Sequence, residues 1–105
     1  MARAQTQRDD LGVPLYPGAE RKALVSSVDQ SKNQHLSEQY TTDDPVEKVA
    51  AFYRDDLGFK PSTKGSVTQL VGRTKAGSDV LIFVEPDGGT TKITIKGIRY
   101  PSPPK

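Results

Sequence analysis

The chain has 105 residues, a length that suits one domain and is too short for two ordinary ones. Fifteen basic against thirteen acidic side chains leave a net charge of +2, which gives no ground for a nucleic-acid partner. With no cysteine, disulfides, thiolate metal sites and cysteine nucleophiles are excluded, and no apolar run approaches the ~20 residues of a membrane-spanning helix.

Apolar residues make up 33% of the chain, and 9 glycines and 8 prolines favour turns, so one modest core is expected. Residues 1–10 are polar and read as a flexible tail. They lack the apolar stretch of a signal peptide, so the protein is either not exported or has lost a leader. In residues 11–18, Leu11, Val13, Leu15 and Tyr16 alternate with Pro14 and Pro17, which predicts an extended apolar segment. Pro17-Gly18 suits the centre of a type II turn.

Residues 20–29 carry Ala23, Leu24, Val25 and Val28 and predict a strand. Residues 30–33 are turn-like. Residues 35–42 predict a more polar strand with Leu36 and Tyr40 as its apolar points. The clearest element is a helix over 44–57: Asp44 suits an N-cap, Pro45 the first helical position and Glu47 a capping box. Val46, Val49, Ala50, Tyr53 and Leu57 share one face, flanked by Phe52. Gly58 is the expected left-handed stop, Phe59 is placed to fold back on the last turn, and Pro61 blocks continuation.

Three further strands are predicted over 66–74, 80–84 and 91–98. The middle one, Val80 to Val84, is continuously apolar, as in a central strand. Residues 86–89 form a hairpin loop. In the last strand Ile93 and Ile95 point inward, and Lys92, Thr94 and Lys96 point outward. Tyr100 begins a proline-rich end, 101–105, that cannot join a ladder. The expected fold is a single α+β domain over 11–100. One amphipathic helix packs on a mostly antiparallel five-stranded sheet in the order β-β-α-β-β-β.

This arithmetic leaves sheet surface uncovered. A helix is ~10–12 Å wide, whereas five strands ~4.8 Å apart span ~20 Å. Successive side chains of 80–84 face opposite ways, so either Leu81 with Phe83, or Val80 with Ile82 and Val84, points away from the helix. Three readings of that face stand open. Residues 11–16 fold over it, or it meets another copy or a protein partner, or it forms a ligand groove.

Few residues suggest chemistry. The acidic pairs Asp9-Asp10, Asp43-Asp44 and Asp55-Asp56 are explained by a tail, a helix start and a helix's polar side. His35 is the single histidine and has no second ligand near it in sequence. No G-x-S-x-G or phosphate loop occurs. Neither catalytic nor metal-binding residues are therefore assigned, and no cofactor is expected. Arg73, Lys75, Lys92 and Lys96 form the one basic grouping that strands can assemble. They suit an anionic lipid, sugar or nucleic-acid backbone, or simply keep the sheet soluble and its edges unpaired. The tyrosines Tyr16, Tyr40, Tyr53 and Tyr100 are too scattered for a stacking platform.

One resemblance can be named from these residues. Val13-Pro14, Tyr16-Pro17-Gly18-Ala19, then Thr42-Asp43-Asp44-Pro45, Val49 and Phe52-Tyr53 form a pattern over roughly residues 11–59. It resembles small uncharacterised bacterial domains that follow an export or lipoprotein signal. The resemblance implies a periplasmic or cell-envelope setting and no particular activity. The chain departs from the pattern in lacking the signal and the lipid-bearing cysteine.

Together these features suggest a non-catalytic binding or interaction module. Its surface would be the open sheet face, with Leu81, Phe83, Arg73, Lys75, Lys92 and Lys96 as binding residues. A small-ligand carrier or enzyme with a site near His35, Tyr40 and Asp43 is the competing class. A structural homo-oligomeric subunit is the third.

Overall fold

The computed structural model describes residues 11–75 and 77–101. The expected tail at 1–10 with its Asp9-Asp10 pair, and residues 102–105 of the proline-rich end, lie outside the described residues. The elements run β1 (Glu20–Val28), β2 (Gln34–Thr42), α1 (Val46–Leu57), β3 (Pro61–Lys64), β4 (Val67–Arg73), β5 (Asp79–Asp87) and β6 (Thr90–Arg99). The α+β class and the antiparallel pairing are as expected.

The sheet, however, has six strands, in the spatial order β1-β2-β6-β5-β4-β3, and the chain order gains a strand after the helix. The strand that five-stranded reading lacks is β3. Pro61 ends the helical path, but the first residue of an edge strand is a place where a missing N–H does no harm. The polar run Pro61–Lys64 has no apolar alternation of its own. Only its pairing with β4, Lys64 opposite Val67 and Pro61 opposite Leu70, makes it a strand.

The helix start also differs. Pro45, not Asp44, is the N-cap, extended at φ −70° and ψ 158°, and no side chain caps the helix. The first-turn N–H groups of Lys48 and Val49 both donate to the Pro45 carbonyl. The Asp44 carboxylate is engaged elsewhere: it accepts the Tyr16 hydroxyl at 2.5 Å and lies 3.6 Å from Lys48 Nζ. The helix ends as expected at Gly58, left-handed at φ 75°, whose N–H donates to the Arg54 carbonyl.

α1 carries the chain from β2 to β3 at the far edge, crossing one face of the sheet to pack on β4 and β5. It buries Val49, Ala50 and Tyr53 against that face. Strand register shows what they meet. One row runs Glu38, Ile95, Ile82, Leu70 across β2, β6, β5 and β4; the next runs Tyr40, Ile93, Val84, Thr68. The isoleucines, Val84 and Leu70 are fully buried, a continuous apolar floor.

A third row contains two glycines, Leu36, Gly97, Val80, Gly72. Each accepts a side chain from outside the sheet. Leu11 lies over Gly97, and the Phe59 ring lies over Gly72. Residues 11–16 therefore lie on the same face as the helix. Leu11 and Val13 are fully buried there, and Thr74 Oγ1 donates to the Leu11 carbonyl at 2.7 Å. Tyr16 meets Phe52 edge-on at 5.0 Å between ring centroids. This overturns the reading in which residues 11–16 cover the face opposite the helix.

Candidate functional site: the open sheet face

Among the described residues no helix or strand is stacked on the opposite face. Its composition follows from the same register. The central row runs Val25, Ser37, Lys96, Leu81, Val71 across five strands. Above it lie Ala23, Gln39, Thr94, Phe83, Gln69, and below it Ser27, His35, Ile98, Asp79, Arg73. A twisted sheet of this width is not flat. The central and lower rows enclose a shallow hollow of about 740 Å³, with Val25, His35, Val71, Leu81, Lys96 and Ile98 among its lining residues.

The apolar content is substantial for an uncovered surface. Val25 is 64% and Val71 61% exposed at the two ends of the central row, while Leu81, Phe83 and Ile98 are half-buried. Strand alternation makes this unavoidable for Leu81 and Phe83, because Val80, Ile82 and Val84 have already taken the helix face.

The charges on this face divide into paired and unpaired. Arg73 Nε donates to Asp79 Oδ1 at 2.9 Å, and Tyr100 donates its hydroxyl to the same carboxylate at 2.5 Å. The Arg73 hydrogen bond, reinforced by that of Tyr100, holds the Asp79 carboxyl below its ordinary value. Arg73 and Tyr100 are in turn pushed up by their hydrogen bonds to Asp79. Lys92 Nζ lies 3.3 Å from Glu85. His35 Nε2 lies 2.9 Å from Asp29, whose carboxyl is lowered chiefly by that contact. Lys96 has none of this. Its cross-strand neighbours are Ser37 and Leu81, and among the described residues no carboxylate lies within ion-pair distance of it. It is an uncompensated cation at the centre of an apolar row.

Of the residues singled out from sequence, Leu81, Phe83, Arg73, Lys92 and Lys96 therefore share this face. Lys75 does not: it is in the turn after β4. The competing set His35, Tyr40 and Asp43 is not brought together. His35 faces the open side, whereas Tyr40 is buried on the helix side with its hydroxyl donated to Glu38 at 3.0 Å. Asp43 lines a separate hollow of about 660 Å³ at the helix N-terminus, with Glu47, Thr63 and Thr91. No group of three metal-ligating side chains occurs among the described residues, and none of their helices is long and apolar enough to cross a membrane. Sequence reasoning missed Val25, Ser37, Val71 and Ile98 as lining residues. Their alternation was legible, but which strands would be neighbours was not.

No protein-family model matches the chain, and comparison with curated proteins and with solved structures gives no match.

Proposed function

We propose that this chain is a non-catalytic binding module whose working surface is the open sheet face. One observation carries the reading: the helix, residues 11–16 and Phe59 all cover the same side, so Leu81, Phe83, Val25 and Val71 remain at the surface around Lys96. A bare apolar patch on a folded domain is a mark of an interaction site. The unpaired Lys96 favours a partner that brings a negative charge to the middle of an apolar contact. A bacterial envelope setting is part of the proposal and rests on the resemblance of residues 11–59 alone.

The anionic, aromatic dye 8-anilinonaphthalene-1-sulfonate is a probe of this chemistry. Its fluorescence should rise and saturate with the native protein near neutral pH. Leu81→Ser with Phe83→Ser should remove that rise, and Lys96→Glu should weaken it at least tenfold, both with the native circular dichroism spectrum. Undiminished dye binding by both variants would sink the proposal.

A further inference from the structure

The two edges of the sheet are built differently. The β3 edge is four residues long, begins with Pro61 and ends with Lys64. Shortness, proline and lysine are the usual devices that stop an edge from pairing with another chain. The β1 edge has nine residues, all exposed. Its stretch from Ala23 to Val28 (Ala, Leu, Val, Ser, Ser, Val) contains no charge and no proline. A bulge falls between Arg21 and Ala23, which leaves the rest of the strand regular. Leu24 is 47% exposed on the helix side, Val25 64% on the open side, and Val28 63%. The sequence leaves this edge open to pairing.

From this we infer that β1 pairs antiparallel with β1 of a second copy, joining two sheets into one of twelve strands about a two-fold axis. Three observations select a second copy. First, the strand is self-complementary. With the axis perpendicular to the sheet, opposing residues must share a face, so their numbers sum to an even value. Centring on Ser26 sets Leu24 opposite Val28 of the other copy, twice by symmetry, and Val25 opposite Ser27. Second, the ends match in charge. Glu20 pairs with Lys22 at the start of β1, which leaves Arg21 as the unpaired charge there. Asp29, which also meets His35, lies just past the other end, so antiparallel pairing brings Arg21 of each copy toward Asp29 of the other. Arg21 has no carboxylate within ion-pair distance among the described residues, so its charge is available. Third, β3 is protected, so β1 has no complementary edge on which to build an open ribbon. The closed two-fold pair is the assembly that remains.

The pairing also bears on the open face. Val25 and Ser27 belong to the hollow beside Lys96. With the axis perpendicular to the sheet, the two hollows lie on the same side of the joined sheet and adjoin across the axis. The inference stands on the β1 edge itself and does not require the open face to bind a ligand.

Sedimentation equilibrium of the full chain tests it, with expected mass about twice 11.4 kDa. Since the chain has no cysteine, Ser26→Cys adds a single thiol. Directly opposed residues of antiparallel strands have Cα atoms ~4.5–5.5 Å apart, within the ~4.4–6.8 Å that a disulfide spans. Mild oxidation should therefore link most of the Ser26→Cys protein as dimer, and little of a Ser62→Cys control on β3. Leu24→Lys with Val25→Lys should give a monomer with unchanged circular dichroism. Should that variant fail to fold, the cysteine pair still decides. A wild-type monomer at every concentration up to the millimolar range overturns the inference. So does a dimer in which Ser26→Cys links no better than Ser62→Cys, which would move self-association to another surface.

Discussion

Leu11 and Gly97 are in direct apposition: a methyl group added at position 97 would lie 2.6 Å from Leu11 Cδ1 and 2.9 Å from the Asp79 carbonyl oxygen. The glycine thus makes room for the segment that shares the helix face, and its neighbour on β5 is backbone that cannot swing aside. Gly97→Ala should destabilise the fold by about 1–3 kcal/mol, the range for overpacking a filled core. Denaturant unfolding of the variant checks this, and an unchanged midpoint would show that residues 11–16 are loosely held.

Tyr16 supplies a pH-dependent link in the same segment. Burial, and then the hydrogen bond to Asp44, push its hydroxyl up to about 12 from an ordinary 10.0. The native state therefore holds this proton when the unfolded chain has released it. The stabilisation is complete below pH 10, and it declines as pH rises from there through about 12. The stability difference between wild type and Tyr16→Phe should be constant from pH 7 to 9 and shrink above pH 10. Unfolding of both proteins across that range measures it, and parallel alkaline limbs would refute it.

Asp79 gives the opposite sign at the acid end. Its native carboxyl lies below the ordinary 3.8, through Arg73 first and Tyr100 second. The contribution is present above the unfolded value and is lost as pH falls through the native one. Asp79→Asn should be less stable than wild type at pH 6, and the gap should close as the solution is acidified below about pH 4. A gap that persists unchanged at pH 2 would assign the effect to packing. Because the group is at the surface, salt should also narrow the gap.

Neighbouring residues of β5 should respond very differently to truncation. Ile82 is fully buried on the helix side, so Ile82→Ala should cost about 2–5 kcal/mol. Leu81 faces the open side and is half-buried, so Leu81→Ala should cost about 1 kcal/mol. Equal losses on thermal unfolding would mean that the open face is core after all.

How far the sequence reached is seen in the same elements. The helix register was legible because Val49, Ala50 and Tyr53 recur at helical spacing and Gly58 marks the stop. Alternation in 91–98 placed Ile93 and Ile95 inward and Lys92 and Lys96 outward. The capping box over Asp44 to Glu47 was not formed, because Tyr16, 28 positions away, engages the Asp44 carboxylate. β3 was invisible because its four residues have no periodic pattern and become a strand only through β4.

By itself, then, the sequence determined the local quantities: one amphipathic helix, the strands rich in apolar residues, the tight turns, and the two-sided apolar character of 80–84. These depend on neighbours within a few positions along the chain. Tertiary structure alone decided that residues 11–16 join the helix on one face, that β6 lies between β2 and β5, and that Lys96 stands in the middle of the open face with no carboxylate within ion-pair distance among the described residues. Those outcomes depend on which strands become neighbours, and that choice is made by burial summed over the whole sheet, which no local pattern encodes.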